Sequence, residues 1–156
     1  MKRRVDWKTG DVFLIPVSDG THAVAQIIGR EASVLNSVSI ALFACRMSES
    51  AAPSAPLECD EVYSTLFVTR DLLDRGVWPI VDHQPVSLPS KAFPYEDCRS
   101  KGYIGARVIG SGIVQHFVRA FFGVEPWNQY KDPEYFDNLL LSPGKKPERV
   151  LLSGSK

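Results

Sequence analysis

The sequence predicts an α+β fold in which an N-terminal small curled antiparallel sheet or SH3-like barrel carries C-terminal helices packed on it. Three observations predict it. Short apolar strand patterns, separated by Gly, Asp and Ser turns, fill residues 12–44. Apolar pairs then recur every four residues from Ile113 to Phe122, the signature of an amphipathic helix. The chain has 156 residues, 44% of them hydrophobic and 10% aromatic, the size and composition of one domain with a substantial core. A single domain over residues 1–156 is therefore expected.

The first strand follows the turn Thr9-Gly10-Asp11. Val12-Phe13-Leu14-Ile15-Pro16-Val17 is apolar on both sides of the pleat, which suits a strand covered on both faces. Pro16 has no amide proton, so its nitrogen should lie at an edge or bulge. Ser18-Asp19-Gly20 has tight-turn chemistry, and Thr21 to Arg30 returns as the second arm of a hairpin. His22, Val24, Gln26 and Ile28 share one face of that arm. Ala23, Ala25, Ile27 and Gly29 share the other, where small side chains let another layer approach. Val38 to Ala44 alternates as a third strand.

Residues 47–60 are rich in Ser and Pro and read as a mobile surface loop. Leu66-Phe67-Val68 reads as a strand, Thr69 as the cap of a short helix Arg70 to Arg75, and Gly76 as its stop. Extended structure resumes at Val77 to Val81. Three prolines then make an irregular crossing before a strand over 103–109. The amphipathic helix follows Gly110-Ser111-Gly112 and stops at Gly123. Asp132-Pro133 predicts the start of a second helix, with Tyr135, Phe136, Leu139 and Leu140 on its apolar side. The tail 145–156 is polar, with Val150-Leu151-Leu152 as a possible last strand.

Eighteen basic residues balance eighteen acidic ones, so no overall field favours nucleic acid or anionic lipid as a partner. No apolar run approaches membrane-spanning length, and the N-terminus has no apolar signal core, so a cytoplasmic location is expected. Cys45, Cys59 and Cys98 are odd in number and widely spaced, which predicts free thiols and neither a disulfide framework nor a zinc site. No metal or cofactor is expected.

His22, His83 and His116 lack the spacing that puts two imidazoles on one ion. The weak catalytic candidates are Asp11, Asp19 and His22 on the hairpin, or Asp82 with His83, although strand neighbours such as the latter point to opposite faces. The strand-to-helix turn at Ser111 and Gly112 offers free amides for an anion, against plain N-capping by Ser111. Trp78 and Trp127 each abut a proline and read as core residues, with a partner-binding anchor as the sharper alternative.

The string Trp7-Lys8-x-Gly10-Asp11-Val12-Phe13-x-Ile15-Pro16-x-Ser18-Asp19-Gly20, with Gln26-Ile27, resembles the immunity protein 26 family, together with relatives described as phosphotriesterases. Further matching stretches are Leu35 to Val38, Phe67 to Leu73, Trp78, Pro94-Tyr95-Glu96, Ile109 to Val114 and Pro126-Trp127, so the likeness spans nearly the whole chain. Ala25 departs from the glycine expected before the glutamine. The resemblance implies a bacterial α+β protein that neutralises a polymorphic toxin by binding it, with the cognate toxin as partner. The alternative it implies is phosphotriester hydrolysis. No family catalytic residue maps onto these motifs.

Overall fold

The computed structural model describes residues 6–31, 37–47, 61–86, 108–140 and 143–152. The strands are β1 (Asp11–Val17), β2 (Thr21–Glu31), β3 (Ser37–Met47), β4 (Val62–Val68), β5 (Ile80–His83) and β6 (Val108–Ile109). One turn of helix, α1 (Asp71–Asp74), lies between β4 and β5. A longer helix, α2 (Ser111–Phe121), follows β6. The sheet order is β5-β1-β2-β3-β4-β6. Every pairing is antiparallel except β4 with β6. This is the predicted α+β arrangement, an open sheet whose register shifts in β2 and β3 let it curl.

The hairpin forms where its turn residues place it, with Val17 opposite Thr21 and Gly20 at φ +90°. Asp19 accepts from the Thr21 amide and hydroxyl, which locks the turn. Pro16 lies opposite His22. The inner face is the one with small residues on β2. Ala23, Ala25 and Ile27 join Phe13, Ile15, Ile40 and Leu42 in a core cluster with Val114, Phe117, Val118 and Ala120 of α2. In this cluster the ring of Phe117 meets those of Tyr63 (5.7 Å), Trp127 (5.8 Å) and Phe136 (5.2 Å). Each fully buried aromatic of this kind stabilises the fold by about 1.5–3 kcal/mol. On the other face Val12, Leu14 and Val24 form a smaller cluster edged by Cys45, Met47 and Val81. Thus β1 is covered on both sides, as its unbroken apolar run requires.

Several local expectations are corrected. The segment from Asp132 is not a second α-helix: the chain turns at 133–136 and makes a single 3-10 turn at Asp137–Leu139. Asp132 does accept the Glu134 amide as a cap would. However, Phe136 is fully buried among Phe117, Trp127 and Tyr130, and no run of helical turns follows it. Ser111 does not cap α2. Its own amide is the donor, and the acceptor is Thr69 Oγ1 at 2.9 Å. Thr69 therefore caps α2 across space and makes no side-chain cap to α1. Gly76 (φ +74°) and Gly123 (φ +78°) follow the two helices as expected. Of the strand expected over 103–109, Val108–Ile109 is described. The expected last strand is a single bridge from Leu151 to Pro126. The loop expected after Met47 lies outside the described residues, as do Cys59 and Cys98.

Candidate functional site

The polar residues of the N-terminal motif converge on the turn that leads into β1. Gly10 holds φ +97°, its amide donates to Ile27 O (2.8 Å), and its carbonyl accepts from the Gln84 amide (3.0 Å). Gln26 is 2% exposed. Its side-chain amide donates to Gly10 O (3.2 Å) and Gln84 O (2.9 Å), joining the turn to the end of β5. A Cβ on Gly10 would lie 2.8 Å from both Gln84 O and His83 Cε1, so this glycine is demanded by space as well as by φ.

Asp11 and His83 meet at this junction because β1 and β5 pair with those two residues in register. Asp11 Oδ1 lies 2.9 Å from His83 Nδ1, and Asp11 Oδ2 accepts the Lys8 amide at 2.9 Å. The Asp11 side chain is 9% exposed and that of His83 51%. Asp6, Trp7, Lys8 and Asp11 line a cleft of about 440 Å³ beside the pair. The carboxylate offers only lone pairs, so Nδ1 carries the proton of the hydrogen bond. In the neutral ring Nε2 is then a bare acceptor, the orientation that a carboxylate imposes on a general base.

The other candidates are placed elsewhere. Asp19 lies past the far end of β1 from Asp11 and His22 sits opposite Pro16 near that end, roughly 15–20 Å away along the strand. Asp19 pairs with Arg46 (3.0 Å), and its carboxyl is held below the usual range chiefly by the Thr21 hydrogen bonds. His22 Nδ1 is buried with no hydrogen-bond partner among the described residues. Asp82 accepts from Gln84 Nε2 (3.1 Å), the main cause of its lowered pKa, with a smaller contribution from the charge of His83. His116 pairs with Glu125 at 2.6 Å on the polar side of α2. Thus one member of each proposed set, Asp11 and His83, forms the pair, and Asp19, His22 and Asp82 do not join it. The sequence signal that would have found this pair is the register of β1 on β5, which only a folded sheet supplies.

The turn before α2 is filled from within. Ser111 Oγ donates to both oxygens of Asp71 (2.8 and 3.0 Å), and Thr69 Oγ1 donates to Asp71 Oδ1 (2.8 Å). A carboxylate of the chain itself thus occupies the helix N-terminus, where the dipole favours negative charge. Burial alone would raise the Asp71 pKa, but the hydrogen bonds from Thr69, Ser111 and the Asp71 and Leu72 amides together lower it. Gly112 is exposed, and a Cβ there would meet nothing within 4 Å. One turn away, Trp7 Nε1 donates to Asp74 (2.9 Å), which also accepts from Arg70 Nε (2.9 Å) while the Arg70 guanidinium covers the Trp7 ring at 5.4 Å.

Trp78 is 0% and Trp127 2% exposed. Trp78 stacks on Phe13 at 5.5 Å, and Trp127 packs on Phe117 and donates to Asp137 (3.2 Å), so neither presents its ring to a partner. Cys45 is a half-buried free thiol whose pKa is raised by burial and then by the charge of Glu61, which disfavours the reactive thiolate. Among the described residues no group of three or more His, Cys, Asp or Glu side chains could hold a metal ion, and no helix is long and apolar enough to cross a membrane.

The family model of immunity protein 26 matches residues 8–103, which include the Gly10 turn, the hairpin, Asp71 and His83. The match supports the immunity family of the expected resemblance and not its phosphotriesterase link. No curated protein and no solved structure matches the chain.

Proposed function

The chain belongs to the immunity protein 26 family, and on that premise we propose that it binds a cognate bacterial toxin in the cytoplasm and neutralises it by covering the toxin's functional surface. The family match is the observation that carries this reading. The side-chain chemistry supports it. Among the described residues Trp7, Gly10, Gln26, Thr69, Asp71 and Ser111 all make ties within the protein. Such ties, most of them made by buried residues, fix the turns from beneath, and a protein ordered before binding loses less entropy when it docks.

Co-expression with toxin candidates encoded beside this gene tests the proposal. Growth should be rescued and the toxin should co-purify in a stoichiometric complex. Absence of both rescue and co-purification for every adjacent candidate would falsify it.

A second reading, hydrolysis of phosphotriesters, is favoured by one observation. Asp11 orients His83 as it would a general base at the edge of a cleft. That reading also needs a nucleophile and positive charge for the phosphoryl oxygens. Turnover of a chromogenic phosphotriester, with and without chelator, that is lost in His83→Ala would establish it. Turnover absent, or unchanged in that variant, would remove it.

A further inference from the structure

Residues 143–152 lie over Trp127, and their composition decides how firmly they are held. After the 3-10 turn Pro143–Lys145, the run Lys146-Pro147-Glu148-Arg149 is charged and offers the core no large apolar side chain. From Gly144 to Leu152 no residue is buried. Lys146, Glu148, Arg149, Leu151 and Leu152 are exposed, and Val150 reaches the core cluster as a partly buried side chain. The residue beneath is the opposite case. Trp127 is 2% exposed and packs on Phe117 and Phe136 at 5.8 and 5.6 Å, so its ring belongs to the core while the segment above it does not.

Polar ties fasten the segment at both ends. Near its start, Lys146 Nζ lies 3.1 Å from Asp137 Oδ1 and 5.6 Å from the centroid of the Trp127 ring. The same carboxylate oxygen accepts from Trp127 Nε1 at 3.2 Å, so ring, carboxylate and ammonium form one joint. Further along, Leu151 O accepts the Trp127 amide at 2.7 Å, within an isolated bridge between Pro126 and Leu151. The Lys146 and Asp137 side chains are 38% and 33% exposed, so water and salt screen their attraction. Opening therefore gives up little apolar burial in the segment itself and breaks bonds already close to solvent. These are the conditions under which a segment opens far more often than the whole domain unfolds.

We propose that residues 143–152 are a detachable strap that controls access to Trp127. Closed, the strap shields the ring with Lys146 and the backbone with Leu151. Open, it uncovers both while the sheet and α2 stay folded. The pair Lys146–Asp137 sets the balance between the two states, and the open state gains as ionic strength rises.

Native-state hydrogen exchange on the full chain, at increasing urea and at low and high salt, tests the strap. The reference is the backbone amide of Gln26, which sits in β2 between Val12 and Ala41 of the flanking strands. After correction for intrinsic rates, the Trp127 amide should exchange at least about a hundredfold faster than the reference and with a shallower urea dependence. Lys146→Gln removes the ion pair and the cation over the ring, and it should speed exchange at Trp127 by about three- to tenfold while the Gln26 amide is unchanged. High salt should speed exchange at Trp127 in the wild type and add little in the variant. A Trp127 amide that matches Gln26 in rate and urea dependence would overturn the proposal, because the segment would then leave only with global unfolding. An unprotected Trp127 amide would do the same, since the strap would not be closed. So would a rate at Trp127 that neither Lys146→Gln nor salt alters.

Discussion

Two polar junctions hold this molecule together, and they differ in what they leave over. At the start of α2, the Thr69 and Ser111 hydroxyls both donate to Asp71 and Thr69 Oγ1 accepts the first helical amide, so the hydroxyl protons and that amide are spent within the protein. At the start of β1, Gly10, Asp11, Gln26 and His83 are tied as tightly, yet the outer edge of His83 stays in solvent. Both junctions look like sites in sequence: one as a glycine-flanked helix start, the other as scattered acids and histidines. The difference shows that a polar motif becomes a candidate for recognition only when the fold leaves one of its donors or acceptors unspent.

The comparison is sharpened by substitutions on each side, taken from the largest expected effect. Gly10→Ala should cost about 3 kcal/mol, because positive φ strains any Cβ and this one would also meet Gln84 O and His83 Cε1 at 2.8 Å. Urea denaturation measures the loss, and a cost of a few tenths would show that the turn relaxes freely. Gln26→Ala should cost about 2 kcal/mol, since a buried amide that bridges two carbonyls is removed and Gln84 O loses a donor. Equal stability of wild type and variant would mean that the junction is not fastened by this side chain.

Ser111→Ala should cost about 1 kcal/mol, the charged hydrogen bond to Asp71 being discounted because that carboxylate is partly exposed. It should also change the acid limb of stability. The folded-state pKa of Asp71 is depressed, so its ionisation stabilises the fold above the unfolded-state pKa, and this contribution is lost as the pH falls through the folded-state value. Removing Ser111 should make that loss shallower on the acid side of the usual aspartate range. An unaltered acid limb in chemical denaturation at several pH values would contradict the assigned hydrogen bonds. His83→Ala should have the smallest effect on stability, about 0.5 kcal/mol, because half its side chain is already hydrated. A large loss of stability would place His83 with the closed junction and erase the distinction between the two.

Much of the architecture was legible in sequence because it follows from local periodicity. The hairpin around Asp19-Gly20, the third strand and the helix after Gly110 were each marked by turn residues or by apolar repeats of two or four. The expected helix from Asp132 failed for a physical reason. Its apolar positions matched a helical face, but Phe136 is drawn into a cluster with Phe117 and Trp127, and the chain settles into turns and one 3-10 segment there. Thr69 was legible as a capping residue, and what sequence misassigned was the helix it caps, which starts 42 positions later in the chain. Likewise Asp11 and His83 were both candidates, but they stand 72 positions apart and were grouped with nearer neighbours.

The order of residues by itself determined the strand and helix periods, the turn glycines and the family pattern, since each depends on neighbours within a few positions along the chain. Only the tertiary structure decided which polar groups meet. Hydrogen bonds act over about 3 Å, and a contact so short between distant positions is set by sheet register, which one extra residue in a strand would have moved to the opposite face.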